Sequence, residues 1–261
     1  MKKGFKNFTA FLLLITMLVS ILPVGAMASD SITAYVTVVQ NGEFAIGKNS
    51  EPMAYVPVTL HSQSPTIDKA FTALHDTYYA DGLAGYGVAD MEWGTSIIKF
   101  WGVSSTSVSY YNNNSYAMGL TDSLDDGAHL VFWVYQDTPG WSDAYTFFDK
   151  TTANVSGDDA LELTLTKAGY SGNSPLSDAI ITVDGTEYAT TDAEGKAYLT
   201  FDEGGTYIVS AKSADSYIVP PVCIVTVTEE GKQEAEYVEA DKKALDISNT
   251  NGQNISLPKT G

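Results

Sequence analysis

His129-Leu130-Val131-Phe132-Trp133-Val134-Tyr135-Gln136 is apolar on both parities, with Leu130, Phe132 and Val134 set against Val131, Trp133 and Tyr135. Neighbouring residues on a strand point to opposite faces, so a strand of this kind is central between two layers or lines a pocket. It stands near the end of a stretch, Tyr86 to Phe148, with fourteen aromatic residues: Tyr86, Trp93, Phe100, Trp101, Tyr110, Tyr111, Tyr116, Phe132, Trp133, Tyr135, Trp141, Tyr145, Phe147 and Phe148. All four tryptophans are among them. A half-buried strand takes an aromatic at every second position at most. Pairs such as Phe100-Trp101, Tyr110-Tyr111 and Phe132-Trp133 therefore put some rings off the main core, under a loop, against a second layer, or on a surface that holds a ligand. Tyr86, Trp93, Trp101, Tyr110, Tyr111, Tyr116, Trp133 and Trp141 form the candidate ligand-binding set, Trp141 being delivered to the surface by the Pro139-Gly140 turn. The competing reading is that they pack a small core and its loops.

Upstream, Ser31 to Gln40 is β-branched and largely alternating, which predicts a strand ending at an Asn41-Gly42 turn. Met53 to Leu60 predicts a second strand, with Pro57 placing it at an edge or bulge. Ile67, Ala70, Phe71, Leu74 and Tyr78 recur at three and four, predicting a helix over 66–79 capped by Thr66 or Ser64. Its one-sided stripe needs a sheet to cover. Strands over 97–103, 107–111 and 116–120 complete a small α+β unit at 31–155, one helix on a mixed, twisted sheet. After a polar joint at 154–160, alternating segments such as Leu161-Leu163-Leu165, Ala179-Ile181-Val183 and Cys223-Val225-Val227 follow, with turns about every ten residues. This is the pattern of an all-β sandwich, placed at 159–238. Charge and polarity then dominate, and 239–261 reads as a stalk.

Residues 1–28 have the form of a secretory signal peptide. Lys2, Lys3 and Lys6 precede an apolar run, and Ala26-Met27-Ala28 sets the cleavage point between Ala28 and Ser29. Losing those three lysines, with no acid among the first 28 residues, takes the net charge from −18 to −21. The chain has no arginine. Nucleic acid, anionic lipid and phosphate-rich ligands are poor candidates as partners, because each calls for a positive patch. The single cysteine, Cys223, lies in an apolar run and reads as a small buried hydrophobe.

His61, His75 and His129 are far apart, so no transition-metal spacing exists. Asp122, Asp125 and Asp126 lack the calcium-loop pattern and read as a turn. No nucleophile elbow is present, and no catalytic residue is assigned. Asp90, Glu92, Asp122, Asp125, Asp126, Asp137 and Asp143 leave open a glycoside hydrolase with paired carboxylates.

Three resemblances add to this. Leu257-Pro258-Lys259-Thr260-Gly261, behind a polar stalk, resembles the sortase signal of Gram-positive surface proteins. It implies sortase and peptidoglycan as partners, covalent attachment to the cell wall through Thr260, and an apolar segment and basic tail after Gly261. Residues 66–135 resemble the small domain shared by the C-terminal part of transcobalamin and by bacterial surface proteins. The likeness rests on Thr66 to Phe71, Trp101, Asn114-Ser115, and the Leu124-Asp125-Asp126-Gly127 turn. It implies a corrinoid-type ligand, although the helical barrel that closes over cobalamin in the vertebrate proteins has no counterpart here. Residues 159–238 resemble the prealbumin-like repeats of Gram-positive adhesins, through Asp184-Gly185 and Thr191 to Lys196. Some such repeats carry a lysine–asparagine isopeptide bond; Lys167 is the candidate donor, but Ile224 to Thr228 offers no asparagine. The expectation is a secreted, wall-anchored protein presenting an aromatic site for a planar small molecule or a glycan. The alternatives are an adhesin for a host protein and a hydrolase.

Overall fold

The computed structural model describes residues 31–156 and 159–228. The leader with Ala28 and Ser29, part of the expected joint, and everything from residue 229 on, including Leu257 to Gly261, lie outside the described residues. The chain forms β1 (Ser31–Gln40), β2 (Glu43–Phe44), β3 (Val56–His61), α1 (Ile67–Tyr78), a 3-10 turn (Gly82–Gly85), β4 (Gly87–Met91), β5 (Gly94–Phe100) and β6 (Val103–Ser104). Then come β7 (Val108–Asn112), β8 (Ser115–Tyr116), β9 (His129–Val134), β10 (Ala144–Phe148), β11 (Thr152–Ser156), β12 (Leu161–Lys167) and β13 (Ser174–Pro175). The last are β14 (Ile180–Val183), β15 (Thr186–Thr190), β16 (Lys196–Leu199), β17 (Gly205–Lys212), β18 (Ile218–Val219) and β19 (Cys223–Thr228). The architecture is mostly β, in several sheets, with α1 the one α-helix among the described residues.

The first sheet runs β2-β1-β9-β7-β8, with β3 on the free side of β1. Only β1 and β9 pair in parallel, Val36 opposite Leu130 and Val38 opposite Phe132. Of the two readings of His129 to Gln136, the structure takes the first: β9 is buried on both faces, between two layers. Leu130 and Phe132 join Val36 and Val38 under α1, while Val131 and Trp133 join Val39 on the opposite face. α1 lays Ile67, Ala70, Phe71 and Leu74 on the sheet, all fully buried. Burying Ile67, Phe71 or Leu74 is worth about 1.5–3 kcal/mol each. Thr66 caps the helix, its hydroxyl accepting from the Lys69 amide at 3.4 Å. The expected strand at 116–120 shrinks to Ser115–Tyr116. Its continuation instead meets the helix start, where Asp68 N–H donates to the Leu120 carbonyl and Ile67 N–H to the Asp122 carbonyl.

Two further sheets face each other around a second core. One runs β13-β12-β10-β18 with β16 also on β12; the other runs β11-β19-β17-β14-β15. Leu163, Leu165, Ile181, Leu199, Val209 and Val225 fill the space between them and are fully buried. Cys223 is buried there, and burial pushes its thiol up to about 12.

The expected division at 155–159 differs from the strand pairing. β10 pairs with β12 and β18, and β11 pairs in parallel with β19, so residues 144–156 belong to the sandwich. The aromatic density of Tyr145-Thr146-Phe147-Phe148 had tied them to the N-terminal unit. Phe148 lies in the sandwich core, and only Tyr145 and Phe147 look back toward the first sheet. The connection between the units is the loop 137–143.

Candidate functional site

The eight rings of the candidate set fall in three places. Trp101, Tyr86 and Tyr110 lie on the helix side of the first sheet, where Phe71 meets Phe100, Tyr110, Phe132 and Tyr86 edge-on at 4.9 to 6.5 Å. Phe100 stacks on Phe132 at 3.6 Å. Trp101, only 5% exposed, sits at φ +49° in the β5–β6 turn. Such a conformation costs an aromatic residue of order 1–3 kcal/mol unless its surroundings hold it. His75 does so. Its Nδ1 lies 2.7 Å from the Phe71 carbonyl, which can only accept, so Nδ1 carries the proton and Nε2 accepts from the Trp101 amide at 3.0 Å. The Trp101 indole N–H donates to the Ile46 carbonyl at 3.1 Å. Tyr86 donates to Asp68 at 2.8 Å; burial and that carboxylate push its pKa far up. These groups build a core.

Tyr111 and Trp133 lie on the opposite face, between the units. Tyr111 stacks on Tyr145 at 4.1 Å, and Trp133 lies 5.7 Å from the same ring. Val39, Val131 and Val219 complete the patch, and the Tyr145 hydroxyl donates to Asn114 at 2.8 Å. The Trp133 indole N–H is buried with no hydrogen-bond partner.

Trp93, Trp141 and Tyr116 are outside, exposed by 80%, 63% and 64%. Trp93 caps the β4–β5 turn and bonds only to its neighbour Ser96. Trp141 stacks on Tyr135 at 6.0 Å, and Tyr116 meets Tyr111 edge-on at 5.7 Å. The single ring-lined site for a planar ligand is therefore not assembled. The surplus of rings is taken up by a second burial layer, the inter-unit face.

Of the carboxylates raised for hydrolysis, Asp122, Asp126, Asp137 and Asp143 accept from backbone amides, and Asp90 accepts from a side-chain hydroxyl. Asp122 accepts from the Met118 and Gly119 amides, Asp126 from the Thr33 amide, and Asp90 from the Thr95 hydroxyl. In the joint, Asp143 accepts from the Gln136 and Asp137 amides at 2.8 and 2.9 Å. Asp137 accepts from the Ser142 hydroxyl and the Gly140 amide, which hold its carboxyl below the usual range. Loop 137–143 is thus a fixed bracket. Asp143→Ala, removing two charge-assisted bonds from a buried position, is expected to cost about 3 kcal/mol in urea unfolding, whereas Asp137→Ala at the exposed end costs much less.

Sequence reasoning missed two concave surfaces. A shallow groove of about 740 Å³ on the sandwich is lined by Phe147, Thr164, Thr166, Asn173, Ser174 and Glu194. A cleft of about 630 Å³ between the units has Glu43, Phe44 and Pro52 on one wall and Thr182, Asp184 and Lys212 on the other. The Asn41-Gly42 and Asp184-Gly185 turns were legible, but nothing in the sequence says that they meet.

No family model and no curated protein matches this chain. Among solved structures, fibronectin(III)-like modules of Clostridium thermocellum CbhA align over 76% of this chain and 94% of theirs, at 12% identity and a TM-score of 0.28. The D00-D0 domain of Intimin aligns over 76% of this chain and 100% of its own, at 15% identity and a TM-score of 0.23. At such scores neither likeness carries an argument about this chain.

Proposed function

We propose that this chain is a secreted surface protein, held on the cell wall through Leu257-Pro258-Lys259-Thr260-Gly261, whose two docked units present a binding surface to an extracellular ligand or partner. The observation that carries this reading is the aromatic inter-unit face, Tyr111 and Trp133 against Tyr145, with the Asp137–Asp143 bracket beside it. A passive spacer needs only length. A body that must hold the orientation of what it presents needs a fixed joint. The scatter of the eight rings favours recognition on open surface, as in an adhesin, over enclosure of a corrinoid-like molecule. The leader and the C-terminal pentapeptide supply the route to the surface, with sortase and peptidoglycan as the partners in anchoring.

The test is fractionation of cells expressing the protein in its own host. The mature chain is expected in material released by a muralytic enzyme, beginning at Ser29, and Thr260→Ala is expected to empty that fraction. Equal amounts in the medium with and without the change would overturn the anchoring.

A further inference from the structure

We propose that the cleft between the units is a saccharide site, taking a neutral or amino sugar. Its volume, about 630 Å³, lies within the range of small-molecule sites, which favour boundaries between units. Its lips are two hairpin turns of one type. Asn41 and Gly42 have φ +53° and +74°, and Asp184 and Gly185 have +47° and +79°. A turn with both central residues left-handed is a tight two-residue hairpin, so neither lip is a loose loop. Phe44, half-buried, packs its ring against the Val39, Val131, Trp133, Tyr145 and Val219 cluster, and the inter-unit contact thereby fixes the ring within the cleft wall. An aromatic face fixed in this way suits the apolar C–H face of a pyranose ring.

The polar groups select the rest of the ligand. Among the described residues no ion pair engages the Glu43 carboxylate, which is exposed beside the turn. Asp184 lines the cleft and uses Oδ1 to accept from the Ile208 amide at 2.8 Å. Lys212 is already paired with Glu187. The cleft therefore offers one carboxylate from each unit and the Thr182 side chain, with no unpaired cation among its lining residues; the Ser210 hydroxyl is committed to the Pro221 carbonyl at 2.7 Å. Carboxylates accept readily from sugar hydroxyls or an ammonium group, and they repel phosphate and carboxylate ligands. The shallow groove at Phe147 has similar chemistry but is lined by the sandwich alone and is far more open.

This inference needs the docking of the two units but not wall attachment, so the fractionation result leaves it intact. The test is titration of the full chain with cellotetraose, chitotetraose and fully deacetylated chitotetraose, read by calorimetry and by amide chemical shifts. Saturable binding of at least one with Kd below about 1 mM is expected, with the largest shifts at Gly42, Glu43 and Gly185. Phe44→Ala should weaken it at least tenfold. Because that change also touches the inter-unit face, Glu43→Arg on the exposed turn is the second variant; it should abolish binding of the deacetylated tetramer while thermal unfolding stays unchanged. Absence of saturable binding to all three sugars would overturn the proposal. So would binding with shifts confined to Tyr135 and Trp141, or binding indifferent to both variants.

Discussion

Acidification from pH 7 to pH 4 lowers the stability of this protein by several kcal/mol, a loss that sets in above the range where its carboxylates titrate. Two histidines are responsible. Burial holds both His75 and His129 down to about 4, from an ordinary value of 6.5. His75 is fully enclosed, its two nitrogens committed to the Phe71 carbonyl and the Trp101 amide. His129 is 7% exposed, and its Nε2 lies 2.9 Å from the Thr37 hydroxyl, which also accepts from the Tyr55 amide. The folded-state pKa of each is depressed, so the unfolded chain binds the extra proton. Stability is complete above pH 6.5 and falls as pH drops from there toward 4, by roughly 3 kcal/mol for each histidine over that interval. Urea unfolding at pH 7, 6, 5 and 4 measures it. His129→Gln should remove about half of the slope between pH 6.5 and 4, whatever it costs at neutral pH. A flat profile over that range would mean that the imidazoles are hydrated in the folded state.

Trp133→Ala is expected to cost about 3–5 kcal/mol, the range for emptying an enclosed aromatic position. Trp133 is 2% exposed and packed by Tyr111, Tyr135 and Tyr145. Its position decides the form of the loss. The indole stands on the face where the first sheet meets the sandwich, so the vacancy weakens docking more than either core. A single unfolding transition should divide into two, followed by near-ultraviolet circular dichroism and by backbone signal. Trp133→Phe should cost far less than Ala, because it keeps a ring and also removes the buried N–H that has no partner. If Trp133→Ala unfolds in one step with unchanged cooperativity, the units are not coupled through this face.

The local elements could be read from the chain because local rules govern them. The spacing of Ile67, Ala70, Phe71 and Leu74 sets the helix, and the alternation of Leu161, Leu163 and Leu165 sets a sandwich strand. The two-faced apolarity of His129 to Val134 allowed a second layer or a pocket, and could not identify the layer that the structure supplies. That layer comes from Tyr145, beyond the loop 137–143, and from Val219, distant in sequence, both carried by strands whose partners are not encoded locally. For the same reason the boundary differs: residues 154–156 read as the start of a polar joint until β19 pairs with them. The candidate rings were visible as an excess, but composition cannot separate a ring on a ligand surface from a ring on an internal contact. The cleft, made by residues 42–44 and 182–212, was out of reach for a reading that concentrated on residues 86–148.

The parallel ladder between Thr152–Ser156 and Ile224–Thr228 has a mechanical meaning. Tension applied between the N-terminal unit and residue 228 enters one of these strands at its start and leaves the other at its finish. The two slide along each other's length, so their hydrogen bonds share the load in shear instead of opening one after another. A molecule tethered at its C-terminal end and gripped at the far end by flow or by a second surface would thus meet the pull along the most resistant direction that this pair of strands offers.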